Sequence, residues 1–223
     1  MSSQKRLYVS IGVLFWTFTL IFALLPSWPH IYYRLQPQAS NLLASTIAST
    51  AIQAQETITQ PNLTPTPSVS PPPIQEPITN NPELPDVDPS LPEENGLIID
   101  KIGVRGEIHE GEDVEAILKT GIWRVPDFGT PPENLQPIII AAHRWGYLEW
   151  SASFRKLNSF YNLPQLKVGD TVKIIWEQRQ YEYKVYSTET GTAITDYNAK
   201  LILYTCQLWN SPLRFFVYAN RSN

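Results

Sequence analysis

The chain of 223 residues carries 17 Lys and Arg against 21 Asp and Glu, a net charge of −4, and a single cysteine. Without a basic excess, binding to nucleic acid driven by charge is excluded. One cysteine excludes an internal disulfide and a metal site built on several cysteines. The length fits one domain of about 130 to 150 residues with additional segments.

The N-terminal region contains an apolar run without charge at 7–25. As a helix rising 1.5 Å per residue, this run is long enough to cross the hydrocarbon core of a membrane. Lys5 and Arg6 precede it, and 35–92 contains no Lys or Arg, which predicts a cytoplasmic N-terminus at 1–6. A cleaved signal peptide begins in the same way, but no small-x-small cleavage site follows directly, so a retained transmembrane anchor at 7–25 is favoured.

A long linker is predicted at 26–92. Its second part, 61–92, has a proline at about every third position. Such a segment cannot build a core and favours extended polyproline II conformations. We therefore predict a disordered, Pro-rich, extracytoplasmic spacer between the anchor and a domain at 93–223.

The domain at 93–223 shows short strand patterns and two brief helix patterns. Residues 180–187 alternate in polarity, as in a half-buried strand, and 153–160 has apolar residues at helical spacing. Short strands separated by turn signals predict a mainly β fold, a closed or nearly closed barrel. The predicted strands are at 96–104, 137–143, 171–176, 180–187, 199–206 and 213–220, and the helices are at 112–119 and 153–160.

Three residues at predicted strand ends suggest chemistry. His143 ends one apolar strand, Cys206 ends another, and Arg214 opens the strand that follows. Consecutive strands joined by a short loop usually pair, which places Arg214 near Cys206. A thiolate is a nucleophile, an imidazole can act as general acid or base, and a guanidinium can stabilise an oxyanion. Thr205 can add a hydroxyl or a backbone donor.

Several of these residues also have an ordinary structural interpretation. A cysteine in an apolar strand is commonly an inert core residue, but an unpaired cysteine in an exported protein indicates a reactive thiol. His109 lies among acidic residues and is interpreted as a solvated loop residue. Glu189 and Asp196 are too few to predict a calcium site. Trp145, Tyr147 and Trp209 are equally consistent with walls of a groove and with ordinary packing.

Four motifs in order resemble the sortase family. The tetrapeptide LYTC at 203–206, followed eight residues after the cysteine by Arg214, resembles the sortase signature. The segment IIIAAHR at 138–144 resembles the family's catalytic-histidine strand. IDKIGV at 99–104 resembles the opening strand, and LKVGDTVKI at 166–174 resembles the turn into a central strand. Together the matches cover 96–220.

The resemblance implies a sortase-like, closed eight-stranded β-barrel with short helices, and a cysteine transpeptidase of the bacterial surface. Such enzymes cleave a C-terminal sorting signal of the Leu-Pro-x-Thr-Gly type in secreted proteins and transfer the acyl group to a cell-wall precursor or pilin amine. It implies Cys206 as nucleophile, His143 as general acid and base, and Arg214 as stabiliser of substrate and oxyanion. Thr205 would lie against the sorting signal. No cofactor, metal or nucleic acid partner is implied. The implied location is the bacterial plasma membrane, with a single span and the catalytic domain outside.

Some features depart from the family pattern. Ala142 stands where a glycine often precedes the histidine, and Asp100 replaces a proline common in the first strand. The loop at 207–213 is short, which leaves the sortase class open. The connection at 185–196 is also short, and because this region helps form the sorting-signal groove in the family, the sorting motif is open as well. Two alternatives remain: a catalytically inactive, sortase-like binding or scaffold domain, and an L,D-transpeptidase, whose cysteine follows a Ser-x-Gly context that LYTC lacks.

Overall fold

The structure is a computed structural model that describes residues 3–24, 39–59, 84–133, 135–208 and 211–222. Its helices are α1 (Ser3–Leu24), α2 (Ala39–Thr59), α3 (Val114–Thr120) and α4 (Ala152–Asn158). Its strands are β1 (Gly96–Ile99), β2 (Val104–His109), β3 (Ile122–Arg124), β4 (Ile138–Ala142), β5 (Thr171–Trp176), β6 (Arg179–Gly191), β7 (Leu201–Cys206) and β8 (Arg214–Arg221).

The eight strands close into a barrel in the order β1-β2-β3-β4-β7-β8-β6-β5, with β5 pairing antiparallel to β1. The prediction of a mainly β, closed eight-stranded barrel with short helices is confirmed. Two of the neighbouring pairs, β2 with β3 and β4 with β7, are parallel. The β4–β7 pair places two strands that are distant in sequence side by side, with their carboxyl ends at the same edge of the barrel.

Strands β4 and β7 are buried on both faces. Side chains of a strand alternate between faces, and here one set of alternating residues packs into the barrel interior. That set includes Ile138, Ile140, Leu201 and Leu203. The other set packs outside the barrel in a second apolar cluster, which includes Ile139, Ala141, Ile202, Tyr204 and Cys206. Because the outer set is apolar, it is stabilised by being buried, and helices α2 and α3 pack over it.

Helix α2 corrects the predicted linker. We expected disorder throughout 26–92, but Ala39–Thr59 is helical and buries Ala44, Ile47, Ala51 and Ala54 in the outer cluster. The Tyr204 hydroxyl donates to the Ile47 carbonyl at 3.0 Å. The buried residues are spaced three or four positions apart, which forms one helix face, and most are small, so that the helix approaches the strands closely.

Two parts of the predicted linker, 26–38 and 60–83, lie outside the described residues. Its last residues are fixed against the turn between β5 and β6. The Asp88 amide donates to the Gln178 carbonyl at 2.8 Å, and the Gln178 side chain donates to the Leu91 carbonyl at 3.2 Å. The domain boundary predicted at 93 therefore falls after the chain has already joined the barrel.

The run that we predicted as a transmembrane anchor is helical over most of its length, within α1. Among the residues that the structure describes, no helix is long and apolar enough to cross a membrane. The structure therefore gives no support to the anchor predicted at 7–25.

Candidate active site

The three predicted catalytic residues lie at the ends of three adjacent strands. In the parallel pair, Ala141 of β4 lies beside Tyr204 of β7, so His143 and Cys206, each two residues further on, are level with each other. In the antiparallel pair, Cys206 lies directly opposite Arg214 of β8. Adjacent strands are about 4.8 Å apart, and opposite Cβ atoms about 4.5–5.5 Å apart. The fold therefore brings all three residues together at one edge of the barrel.

Thr205 occupies the other face of β7. The side chain of Cys206 belongs to the outer cluster with Tyr204, so the alternation of the strand directs Thr205 toward the barrel interior. The Thr205 hydroxyl donates to the Ala142 carbonyl at 2.9 Å. This bond joins the end of β7 to the residue before His143, so Thr205 holds the two strand ends in register. Its contact with a sorting signal stays a prediction.

Cys206 and His143 are uncharged in this closed site. Cys206 is 0% exposed and His143 is 1% exposed. Burial raises the pKa of the Cys206 thiol, and the positive charges of Arg214 and Arg144 lower it by a smaller amount. Burial lowers the pKa of His143 to about 4. At pH 7 the pair is therefore a thiol beside a neutral imidazole, and a neutral imidazole can accept the thiol proton as the sulfur attacks a carbonyl.

A tyrosine four residues after the histidine holds the imidazole. The Tyr147 hydroxyl lies 3.3 Å from His143 Nε2, and the two rings meet edge to face with centroids 5.0 Å apart. Burial raises the pKa of Tyr147, with smaller contributions from Glu115 and Glu149. The hydroxyl therefore keeps its proton, and its oxygen can accept a hydrogen bond from Nε2–H, which fixes the ring orientation and leaves the Nδ1 lone pair to accept the thiol proton.

The loop that carries Tyr147 is fastened by one arginine of α4. Arg155 donates to the carbonyls of Trp145 and Tyr147, the second at 2.8 Å. Sequence reasoning left Tyr147 open between groove wall and packing. Tyr147 follows His143 by four residues within a loop, and no sequence pattern predicts that two residues so placed are in contact. Of the other two aromatics left open, Trp145 packs against the outer cluster and Trp209 lies outside the described residues.

Arg214 is a fixed cation beside the thiol. It is 2% exposed, and its Nη1 donates to the carbonyls of Ser211 at 3.0 Å and Leu213 at 3.1 Å. Its Nε is buried with no hydrogen-bond partner in the described part of the chain. Buried donors are normally paired, so this one is available for an oxygen that becomes negative during attack by the thiol.

Residues that sequence analysis set aside lie elsewhere. His109 belongs to β2, with Nδ1 3.6 Å from a Glu107 carboxylate oxygen. The carboxylates of Glu189 and Asp196 accept hydrogen bonds from the hydroxyls of Tyr218 and Tyr186. No group of three or more His, Cys, Asp or Glu suited to hold a metal ion occurs among the described residues. Through Tyr186, Asp196 fastens the segment between β6 and β7 to the barrel, and Glu189 joins β6 to β8 through Tyr218.

Comparison with known proteins gives a family match and a set of similar folds. The sequence matches the model of the sortase domain over 97–222. A Clostridium perfringens sortase D5 transpeptidase has 23% identity and a TM-score of 0.47, covering 59% of this chain and 79% of that chain. Sortase C1 from Streptococcus agalactiae has 20% identity and a TM-score of 0.47, covering 62% and 71%. Sortase A from Corynebacterium diphtheriae has 21% identity and a TM-score of 0.46, covering 59% and 61%.

No curated protein matches the sequence significantly. The sortase domain match spans more than half of the chain, and it includes His143, Cys206 and Arg214. The chain belongs to the sortase family.

Proposed function

We propose that the domain is an active cysteine transpeptidase that cleaves a sorting signal in secreted proteins and joins the product to an amine. The observation that carries the proposal is the placement of His143, Cys206 and Arg214 at three adjacent strand ends, with the Arg214 side chain opposite the thiol. A nucleophile, a proton acceptor and a fixed cation are the groups that acyl transfer from a peptide bond requires.

In the first step, the Cys206 sulfur attacks the carbonyl carbon of the scissile peptide bond and His143 takes the thiol proton. The carbonyl oxygen becomes negative, and Arg214 stabilises it through its positive charge and its unpartnered Nε donor. The carbon–nitrogen bond then breaks, and the imidazolium returns its proton to the leaving amine. The products are a thioester on Cys206 and a free amine.

In the second step, an acceptor amine attacks the thioester carbonyl. His143 accepts a proton from the attacking nitrogen, the carbon–sulfur bond breaks, and the proton returns to the sulfur. The acyl group is then joined to the acceptor by a new peptide or isopeptide bond, and the thiol is regenerated. We propose an amine of a cell-wall precursor or a pilin lysine as the acceptor.

The proposed donor is a segment of the Leu-Pro-x-Thr-Gly type. On the outer faces of β4 and β7, the apolar residues Ile139, Ala141, Ile202 and Tyr204 form a strip that ends at Cys206. Such a strip suits the apolar Leu-Pro part of the signal, and the polar site at its end suits the scissile Thr-Gly bond. Because helix α2 covers this strip, binding of the signal requires α2 to move.

The experiment is transfer of a labelled sorting peptide to a small amine, followed by mass spectrometry. A library of quenched peptides identifies the motif, and the test compares the wild-type chain with Cys206→Ala, Arg214→Ala and the control Arg105→Gln. Arg105 is exposed on β2 and pairs with Asp100. The proposal predicts a thioester and an amine-linked product in the wild type and the control, no product in Cys206→Ala, and a loss of at least tenfold in Arg214→Ala.

An inactive scaffold domain is the alternative, and it is favoured by the complete burial of the Cys206 thiol. The two functions differ in the reactivity of the folded chain. If the wild type forms no thioester across the peptide library, and Cys206 stays unlabelled by a small thiol reagent while the barrel remains folded, the scaffold function is correct.

For the location, we propose the outer face of the bacterial plasma membrane, with the N-terminus inside. The support is the uncharged run at 7–25, with Lys5 and Arg6 directly before it. Carbonate extraction of cells expressing the full chain should leave it in the membrane pellet, and protease added to intact cells should cleave the domain. Recovery in the soluble fraction would exclude an anchor.

A further inference from the structure

Arg144, the residue after His143, connects the three strand ends of the site. Its Nη1 donates to the carbonyl of Gln207, the residue after Cys206. The Gln207 amide in turn donates to the Leu213 carbonyl at 2.9 Å, directly before Arg214. One guanidinium and one amide therefore link the residues that neighbour the histidine, the cysteine and the arginine.

The charge of Arg144 acts on the thiol. Its guanidinium lies over the Trp145 ring, 5.1 Å from the centroid, and burial lowers its own pKa. Burial raises the pKa of Cys206, and two positive charges lower it: Arg214 has the larger effect and Arg144 the second largest. In the described part of the chain no carboxylate forms an ion pair with Arg144, so its charge is not neutralised by an acidic partner.

Unpartnered polar atoms gather at the same place. Arg144 Nε, Gln207 Oε1 and Arg214 Nε are buried and have no hydrogen-bond partner among the described residues. Buried polar atoms are normally paired, and exceptions occur at functional sites. Of the four such side-chain atoms in the described residues, two belong to Gln207, next to Cys206, and Arg214, opposite it, and a third belongs to Arg144, the residue after His143. Arg144 therefore has the environment of a site residue rather than of a surface arginine.

We propose that Arg144 is a positioning residue for Cys206: through the Gln207 carbonyl it holds the end of β7 against the end of β4, and it places a second positive charge beside the thiol. This role adds a residue to the proposed transpeptidase site. Only its predicted effect on the rate of thioester formation rests on the proposed function. The charged and titratable groups around the thiol are Arg214 on β8, Arg144 and His143 after β4, and Tyr204 on β7.

The test uses the full chain and two readouts. The first is the pH dependence of Cys206 alkylation by iodoacetamide, which needs no sorting peptide and reports on one residue, since the chain has a single cysteine. The second is the rate of thioester formation. The variants are Arg144→Gln, which removes the charge, Arg144→Lys, which keeps the charge without the planar guanidinium, and the control Arg105→Gln.

We expect Arg144→Gln to raise the alkylation midpoint by at least half a pH unit, whereas Arg144→Lys and Arg105→Gln keep the wild-type midpoint. Both Arg144 variants should form the thioester at least tenfold more slowly, because Lys cannot reproduce the guanidinium contact with Gln207. An unchanged midpoint in folded Arg144→Gln, with only a lower melting temperature, overturns the proposal. If Arg144→Gln does not fold, a wild-type rate of thioester formation in Arg144→Lys overturns it.

The two proposals fail separately in this design. If no peptide forms a thioester on the wild type, the transpeptidase proposal fails, and the alkylation midpoints of the same variants still decide whether Arg144 acts on the thiol.

Discussion

Access to Cys206 should depend on how firmly helix α2 binds to the barrel. Ile47 is 0% exposed and packs in the outer cluster with Cys206, whereas Ile52, on the same helix, is 58% exposed. Replacing either by alanine removes the same atoms. Only Ile47→Ala removes atoms that hold α2 against β7, and both changes raise the helix propensity equally, so the pair isolates the loss of docking.

The magnitude follows from the cost of truncating a buried side chain. Ile→Ala in a core costs about 2–5 kcal/mol, and a helix docked at the surface belongs at the lower end. A loss of about 2 kcal/mol raises the population with α2 undocked about thirtyfold. When a buried thiol reacts only through local opening, its labelling rate follows this population.

The assay is labelling of the native full chain with iodoacetamide, read as a mass increase that reports on the single cysteine. We expect Ile47→Ala to label ten- to thirtyfold faster than wild type, and Ile52→Ala within twofold of wild type. Circular dichroism establishes that the barrel stays folded in both. If folded Ile47→Ala labels at the wild-type rate, α2 does not control access and the route to the thiol lies elsewhere.

Three further changes test the environment of the site. Because burial lowers the pKa of His143 to about 4, below its ordinary value of about 6.5, the unfolded chain binds a proton that the folded chain does not between these values. Stability should therefore fall by about 3 kcal/mol as pH drops from 6.5 to 4, and urea unfolding should show that His143→Gln, but not the control His109→Gln, removes this fall. A Cβ at Gly146, where φ is +73°, would overlap the Trp150 ring, whereas at Gly169, where φ is +93°, it would meet no atom within 4 Å. Gly146→Ala should therefore unfold at lower urea than Gly169→Ala and form the thioester more slowly; equal behaviour of the two would contradict a packed loop beside His143. Thr205→Val should cost about 1 kcal/mol, from loss of the bond to the Ala142 carbonyl, with an unchanged KM for the sorting peptide; a large change in KM would instead place Thr205 against the substrate.

The barrel and the convergence of His143, Cys206 and Arg214 were predictable because their signals are local. Apolar strands that end at His143 and Cys206 define the edge at which the side chains meet, and a short loop is enough to pair Cys206 with Arg214. The alternation of β7 also predicts that Thr205 and Cys206 point to opposite faces.

Helix α2 was not predictable in the same way. Its sequence is rich in Ala, Ser and Thr, and its buried face consists mainly of alanines, which give a weak apolar pattern. The helix is stabilised by contacts with β7 and α3 that depend on the folded barrel. The roles of Arg144 and Tyr147 also depend on packing, because each contacts a partner that only the fold brings close.

The most direct test of the active site is the intact mass of the full chain after a single exposure to an excess of a cleavable sorting peptide, without an acceptor amine. The account predicts an acyl adduct on Cys206 that hydroxylamine removes, that is absent in Cys206→Ala, and that forms faster in Ile47→Ala than in wild type. No adduct in either wild type or Ile47→Ala, with a peptide library that includes Leu-Pro-x-Thr-Gly sequences and with the barrel folded, would contradict a catalytic role for Cys206.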